Sequence, residues 1–300
     1  MDTQTQMRKI DIHAHAVAFP EYYPPHYNGG RWVSADELIG FYDRLGIEKG
    51  VLMPISSPEG MRSPMTSETC KWLADRFSDR FLWFCNVDPR AGLNTSSLDL
   101  EKLIVFYKSL GAKGVGEITA NIYADDPKVD YLFACCAELE MPVLIHIATN
   151  FTRYGLVDEL GLPRLEKMLK AHPKLKLLGH SQPFWSEISA DNTEATRSRY
   201  PEGKVREGRL ARLMRDYENL YCDLSAGSGA NAMMRDPDYA VAFIDEFSDR
   251  LLYGCDICLT TTSHPFPFRD FLDQLLESGL VSIENYRKIC RSNAERILKL

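Results

Sequence analysis

Short, nearly unbroken apolar runs recur along this chain, each followed by a stretch with the three-to-four-residue spacing of an amphipathic helix. An unbroken apolar run suits a strand buried on both faces, and a parallel sheet covered by helices provides that setting. The runs at residues 9–13, 50–54, 81–87, 112–118, 142–147, 175–180, 220–224 and 250–256 predict strands. Helical patterns fall at 34–45, 67–77, 98–110, 131–139, 162–172, 206–217 and 238–247, with two more at 268–278 and 283–298. Ser34-Ala35-Asp36-Glu37 has the form of a capping box, with the side chain of Ser34 and that of Glu37 each placed to serve the other's backbone N–H. Repeated βα units over 300 residues predict one (β/α)8 TIM barrel spanning residues 1–300, a fold that needs about 250 residues before insertions. Two connections, 14–33 and 181–204, are long enough to be lids or substrate walls.

Bulk properties narrow the partners. The net charge is −7, and no lysine or arginine run would track a phosphate backbone, so no nucleic acid is expected. No apolar run approaches the roughly 20 residues that span a bilayer, and the polar start at Met1–Lys9 lacks the apolar stretch of a leader. A cytoplasmic enzyme away from membranes is the expectation, with its eight cysteines reduced. Cys255-Asp256-Ile257-Cys258 stands alone, without a second pair at zinc-finger spacing.

The polar residues that break the apolar strands carry the chemistry. Side chains two apart in a strand share a face, so His13 and His15 point the same way and could clamp one metal ion. His146 interrupts the run Val143–Ile147, His180 ends the run before it, Asp256 ends the last strand, and Glu117 lies in Gly114–Ile118. All fall at C-terminal strand ends, where barrel enzymes keep their active sites. Several ionisable groups buried together are tolerable only if they pair or bind a metal.

On Asp11-Ile12-His13-Ala14-His15, His146, His180, Leu252-Tyr253-Gly254-Cys255-Asp256 and the closing Asn293-Ala294-Glu295-Arg296-Ile297-Leu298, the chain resembles the amidohydrolase superfamily. Within it the likeness is to the amidohydrolase-related branch that includes aminocarboxymuconate-semialdehyde decarboxylase. The resemblance implies His13, His15, His146 and Asp256 as metal ligands, with His180 contacting substrate or a second metal. Glu117 departs from the decarboxylase pattern, standing where TatD-like hydrolases carry a ligand, so one ion or two are expected.

Such a site predicts hydrolysis of a small anionic lactone, amide or ester, with Asp256 as general base and His180 polarising the substrate oxygen. Zn²⁺ is the first expectation, with Mn²⁺ and Fe²⁺ as alternatives. The same donors serve a second reading, non-oxidative decarboxylation of an aromatic or muconate-like acid, and a non-catalytic ligand-binding barrel is a third. Arg31, Trp32, Arg153, Tyr154 and His264 are candidate substrate contacts, and Arg62, Trp185 and Arg199 likewise follow strand ends or lie in the long inserts. The small residues 225–231 read as a turn. By analogy with other barrels, a homodimer or homotetramer is expected.

Overall fold

A computed structural model describes residues 7–26, 29–60, 65–91 and 100–300. Nine parallel-paired strands are described: β1 (Lys9–Ala14), β2 (Ile47–Leu52), β3 (Phe81–Trp83), β4 (Val115–Ile118), β5 (Val143–Ala148), β6 (Leu156–Val157), β7 (Leu177–His180), β8 (Leu220–Asp223) and β9 (Leu251–Leu252). They form one run β1-β2-β3 and another β4-β5-β7-β8-β9, with β6 attached beside β5. Two seams join the runs, a bridge from Cys85 to Val115 and one from Ala14 to Ile257. Backbone bonds lace both seams, Gly116 N–H to Cys85 O at 2.8 Å and Asp256 N–H to His13 O at 2.7 Å. The ring therefore closes as a TIM barrel, and β6 is an accessory outside it.

The interior is packed rather than hollow. Ile10, Ile12, Val51, Met53, Phe84, Leu144, Leu178 and Leu252 point inward, and Ala294, Ile297 and Leu298 of the terminal helix close the bottom. The helices cover the outside over a second, larger apolar cluster. Among the described residues, no helix is long and apolar enough to cross a membrane.

The predicted capping box forms at helix Ala35–Leu45: Glu37 N–H donates to Ser34 Oγ at 3.3 Å, and Ser34 N–H donates to Glu37 Oε2 at 2.9 Å. Arg31 also pairs with Glu37, and this ion pair with the Ser34 bonds holds the Glu37 carboxyl down to about 2. Ser34→Ala should lower unfolding free energy by about 1 kcal/mol in urea denaturation at pH 7. A depressed carboxylate contributes stability above its unfolded value and loses it as pH falls through the folded one. The cost of Glu37→Gln should therefore be measurable at pH 7 and vanish toward pH 2.

Beyond the accessory β6, a short helix Gln182–Ser186 in the insert and shorter strands at Phe81–Trp83 and Leu251–Leu252, two larger segments differ from expectation. The residues read as a turn after β8 form the helix Ala226–Met234. Its glycines weaken helix propensity, but a Cβ on Gly229 would come within 2.3 Å of Leu224 O, so close packing requires them. The predicted helix 283–298 breaks into Ile283–Arg287, a π turn Lys288–Ser292 and Asn293–Leu298. The wide turn lets Ile289 O accept from Tyr253 N–H at 3.0 Å, tying the last helix to the end of the barrel.

Candidate metal centre

The end of β1, where the register with β2 shifts between Asp11 and Ala14, brings His13 and the following His15 together, both buried, with their Nε2 atoms 3.0 Å apart. Their other nitrogens are fixed from behind. His15 Nδ1 lies 2.8 Å from Met53 O and must donate, since a carbonyl only accepts. His13 Nδ1 lies 2.8 Å from Asp223 Oδ2, which the imidazoles of His13 and His180 keep ionised against burial that would raise its pKa. In the neutral form each ring would carry its proton on Nδ1, leaving the two Nε2 lone pairs to face each other. That arrangement fits a cation held in front of them, and its outer partners are those that orient metal-bound histidines.

The remaining donors arrive from other strands. A Cβ on Gly116 (φ 146°) would lie 2.7 Å from Leu144 O, so only glycine lets β4 close on β5 just before Glu117. Glu117 Oε2 sits 3.6 Å from the Nε2 of both His13 and His15. Its Oε1 accepts from His146 Nδ1 at 2.6 Å and lies 4.0 Å from His180 Nε2. The β5–β7 register sets His146 beside His180. Asp256, at a positive φ of 51°, reaches His15 Nε2 at 3.4 Å, His13 Nε2 at 3.8 Å and His180 Nε2 at 3.9 Å.

Three donor sets result among the described residues, His13–His15–Glu117, Glu117–His146–His180 and His13–His180–Asp223, each with ligand atoms within 4.8 Å of one another. Asp223 faces the Nδ1 atoms of its two histidines from behind, so the first two sets are those that could hold a divalent ion in front of the rings, and Glu117 belongs to both. Burial would lower the basicity of His13 and His15, but the surrounding carboxylates raise His13 well above its ordinary value and His15 to about 9. Burial would likewise raise Glu117 and Asp256, but the imidazoles pull both down, His146 foremost for Glu117 and His13 for Asp256.

All six residues predicted for the centre, His13, His15, Glu117, His146, His180 and Asp256, are brought together. The other candidates divide. Tyr154 lies with its ring 4.7 Å from that of His146, where a Cβ on Gly155 would press within 2.9 Å of the same imidazole. Arg153 is exposed beside it. Arg31 is not brought into the cluster, because its guanidinium pairs with Glu37. Trp32 is buried and donates from Nε1 to Pro24 O at 3.1 Å. His264 precedes helix Pro265–Glu277 and its Nε2 donates to Cys255 O at 2.6 Å. Arg62 lies outside the described residues. Cys255 and Cys258 are free thiols, both raised by burial.

Sequence reasoning missed Asp223. Its Oδ2 accepts from His13 Nδ1 and from His180 Nδ1, at 2.8 and 3.0 Å, and from Ser225 Oγ at 2.7 Å. The signal was present, a carboxylate breaking the apolar run 220–224, as Glu117 breaks β4. Outer partners of metal-bound histidines typically hold ten- to a hundredfold in affinity. Asp223→Asn should weaken metal binding by about that factor in a competition titration against a chromogenic chelator.

The family model described as amidohydrolase matches residues 10–300. The chain belongs to the amidohydrolase family. Among solved structures, this amidohydrolase is similar to 2,6-dihydroxybenzoate decarboxylase from Rhizobium, with 16% identity, a TM-score of 0.61, and 98% of this chain and 99% of that one covered. It is similar to 5-carboxyvanillate decarboxylase from Novosphingobium aromaticivorans, complexed with manganese, at 16% identity, a TM-score of 0.60 and 100% coverage of both chains. A probable 2-pyrone-4,6-dicarboxylic acid hydrolase from Acinetobacter baumannii shares 15% identity with a TM-score of 0.60, covering 98% of this chain and 100% of its own. No curated protein matches the sequence. The amidohydrolase is thus a metal-dependent enzyme acting on a small molecule.

Proposed function

We propose that this amidohydrolase is a carboxy-lyase that removes CO₂ from a small aromatic hydroxy acid. The observation that carries the reading is the wall beside the donors. The Tyr154 ring lies 4.7 Å from that of His146 and is 42% exposed, so it offers flat apolar surface to an aromatic ring beside the donors. The decarboxylases of aromatic acids among the solved relatives support the same choice.

In this reading His13, His15, Glu117 and Asp256 hold a divalent ion, with His146 and His180 completing a second donor set around Glu117. Imidazole and carboxylate donors suit Zn²⁺, Mn²⁺ or Fe²⁺, and the manganese of the carboxyvanillate enzyme makes Mn²⁺ the first to test. The ion supplies Lewis-acid polarisation of a substrate oxygen. Asp256, whose side chain at 25% is the most exposed of the cluster, is ionised at rest, takes up a proton from solvent and passes it to the ring carbon bearing the carboxylate. The C–C bond then breaks, its electron pair returns to the ring, and CO₂ leaves; one proton is consumed and nothing is oxidised. His180, braced by Asp223, keeps its Nε2 beside Asp256 for the return of a proton.

Hydrolysis of a lactone, amide or ester is the second reading, and the place of Glu117 between two donor sets favours it, because paired ions commonly serve hydrolytic displacement. There Asp256 takes the proton of the attacking water and returns it to the leaving group. Protein loaded with Mn²⁺ or Zn²⁺ should release CO₂ from hydroxybenzoates, followed by coupled bicarbonate assay. Hydrolysis of lactones or esters without CO₂ release would reverse the order of the two readings.

A further inference from the structure

Asp256 holds its carboxylate before three imidazoles from a backbone conformation that few side chains adopt. Its φ of 51° lies in the left-handed region, uphill for a residue other than glycine, though aspartate tolerates it better than most. That φ is the rotation between the Cys255–Asp256 peptide plane and the substituents of the Asp256 Cα. A fixed plane and a fixed φ together decide where the carboxylate points. Were the plane free to turn, φ could relax toward the extended region open to any residue, and the carboxylate would lose its reference.

Both polar ends of that peptide are held. Asp256 N–H donates to His13 O at 2.7 Å, and Cys255 O accepts from His264 Nε2 at 2.6 Å. A carbonyl only accepts, so His264 carries a proton on Nε2. The chain on either side is pinned as well. Cys255 N–H donates to Asp11 Oδ1 at 2.8 Å, and His15 N–H donates to Ile257 O at 2.9 Å. A Cβ on Gly254 would lie 2.5 Å from Asp223 Oδ1, which packs this strand end against the carboxylate behind His13 and His180.

Asp11, His13 and His15 belong to β1 and its end, so the barrel itself supplies those contacts. The bond to Cys255 O is different, because it comes from the loop before helix Pro265–Glu277. His264 occupies the cap position of that helix, yet its side chain makes no capping bond there. It is half-buried and turned back to the barrel instead.

We propose that His264 is a positioning residue for Asp256: by holding Cys255 O it fixes the peptide plane from which the Asp256 carboxylate is aimed at His13, His15 and His180. It acts through the backbone of its neighbour rather than by touching substrate. The inference rests on the proposed reading only in taking Asp256 as a metal ligand. Glutamine at this position has its side-chain NH₂ as many bonds from Cα as Nε2 is in histidine, so it can donate the same bond without the ring.

Crystal structures of metal-free His264→Ala and His264→Gln, with Mn²⁺ titrations against a chromogenic chelator, test this. In His264→Ala the carboxylate should leave its place 3.4–3.9 Å from the three imidazoles, and Mn²⁺ should bind about tenfold more weakly. His264→Gln should keep the carboxylate in place and the affinity within about twofold of the parent. Added to Asp256→Asn, His264→Ala should cost less than about twofold more, because no carboxylate is left to aim. An unchanged thermal midpoint of each metal-free variant shows that it folds. Three results would overturn the proposal: an unmoved carboxylate in His264→Ala, equal losses for alanine and glutamine, or the full loss persisting beside Asp256→Asn. A displaced carboxylate with Mn²⁺ affinity unchanged in both His264→Ala and Asp256→Asn keeps the positioning role and fails only the reading of Asp256 as a ligand.

Discussion

Asparagine at position 256 will cut kcat by about a thousandfold or more while the barrel remains folded. In either proposed reaction one carboxylate moves the proton, and positioned acid–base groups contribute about 10²- to 10⁴-fold. Asp256 lies within 3.4–3.9 Å of three imidazoles and has the most open side chain of the cluster. Asparagine keeps the shape and loses the proton site. Its oxygen can still face the cluster, so metal content, read by elemental analysis beside the kinetics, separates a lost proton carrier from a lost ligand. A variant that keeps both its metal and kcat within tenfold of the parent would move the proton-carrying role to His180.

Glu117→Ala will have the largest effect on metal content. If Glu117 joins two ions, elemental analysis should fall from two per chain to one or none, and the thermal midpoint of the loaded protein should drop with it, since an ion bound only to the folded state stabilises by mass action. The pull of His146 and the bonds from His13 and His15 on this carboxylate make it the common counter-charge of the cluster. One ion per chain in both parent and variant would remove Glu117 from the ligand set.

The strands were legible because burial on both faces leaves a near-continuous apolar run, and the donors because each breaks such a run. The same logic reached Glu117 and His146 but passed over Asp223, which lies at a strand end among Leu220, Tyr221, Cys222 and Leu224 and looks there like an ordinary cap. What distinguishes it is a pairing across 210 positions, from His13 to Asp223, which no local pattern carries. The helix Ala226–Met234 was hidden for a different reason. Its small residues favour turns in isolation, and the close approach of Gly229 to the Leu224 backbone, which no larger residue allows, is not written in composition. Arg31 and His264 had the right chemistry in the right loops, yet local partners, Glu37 and Cys255 O, claim their polar ends. Loop composition does not reveal which partner wins.

The seam from Ala14 to Ile257 bears on how the protein is made. His13 and His15 stand near the beginning of the chain, and Asp256, which faces them, comes close to its end. During synthesis, which delivers a chain N-terminus first at about 5–20 residues per second, the two histidines wait many seconds for Asp256. The complete donor set can form only once that residue has been made and the seam has closed.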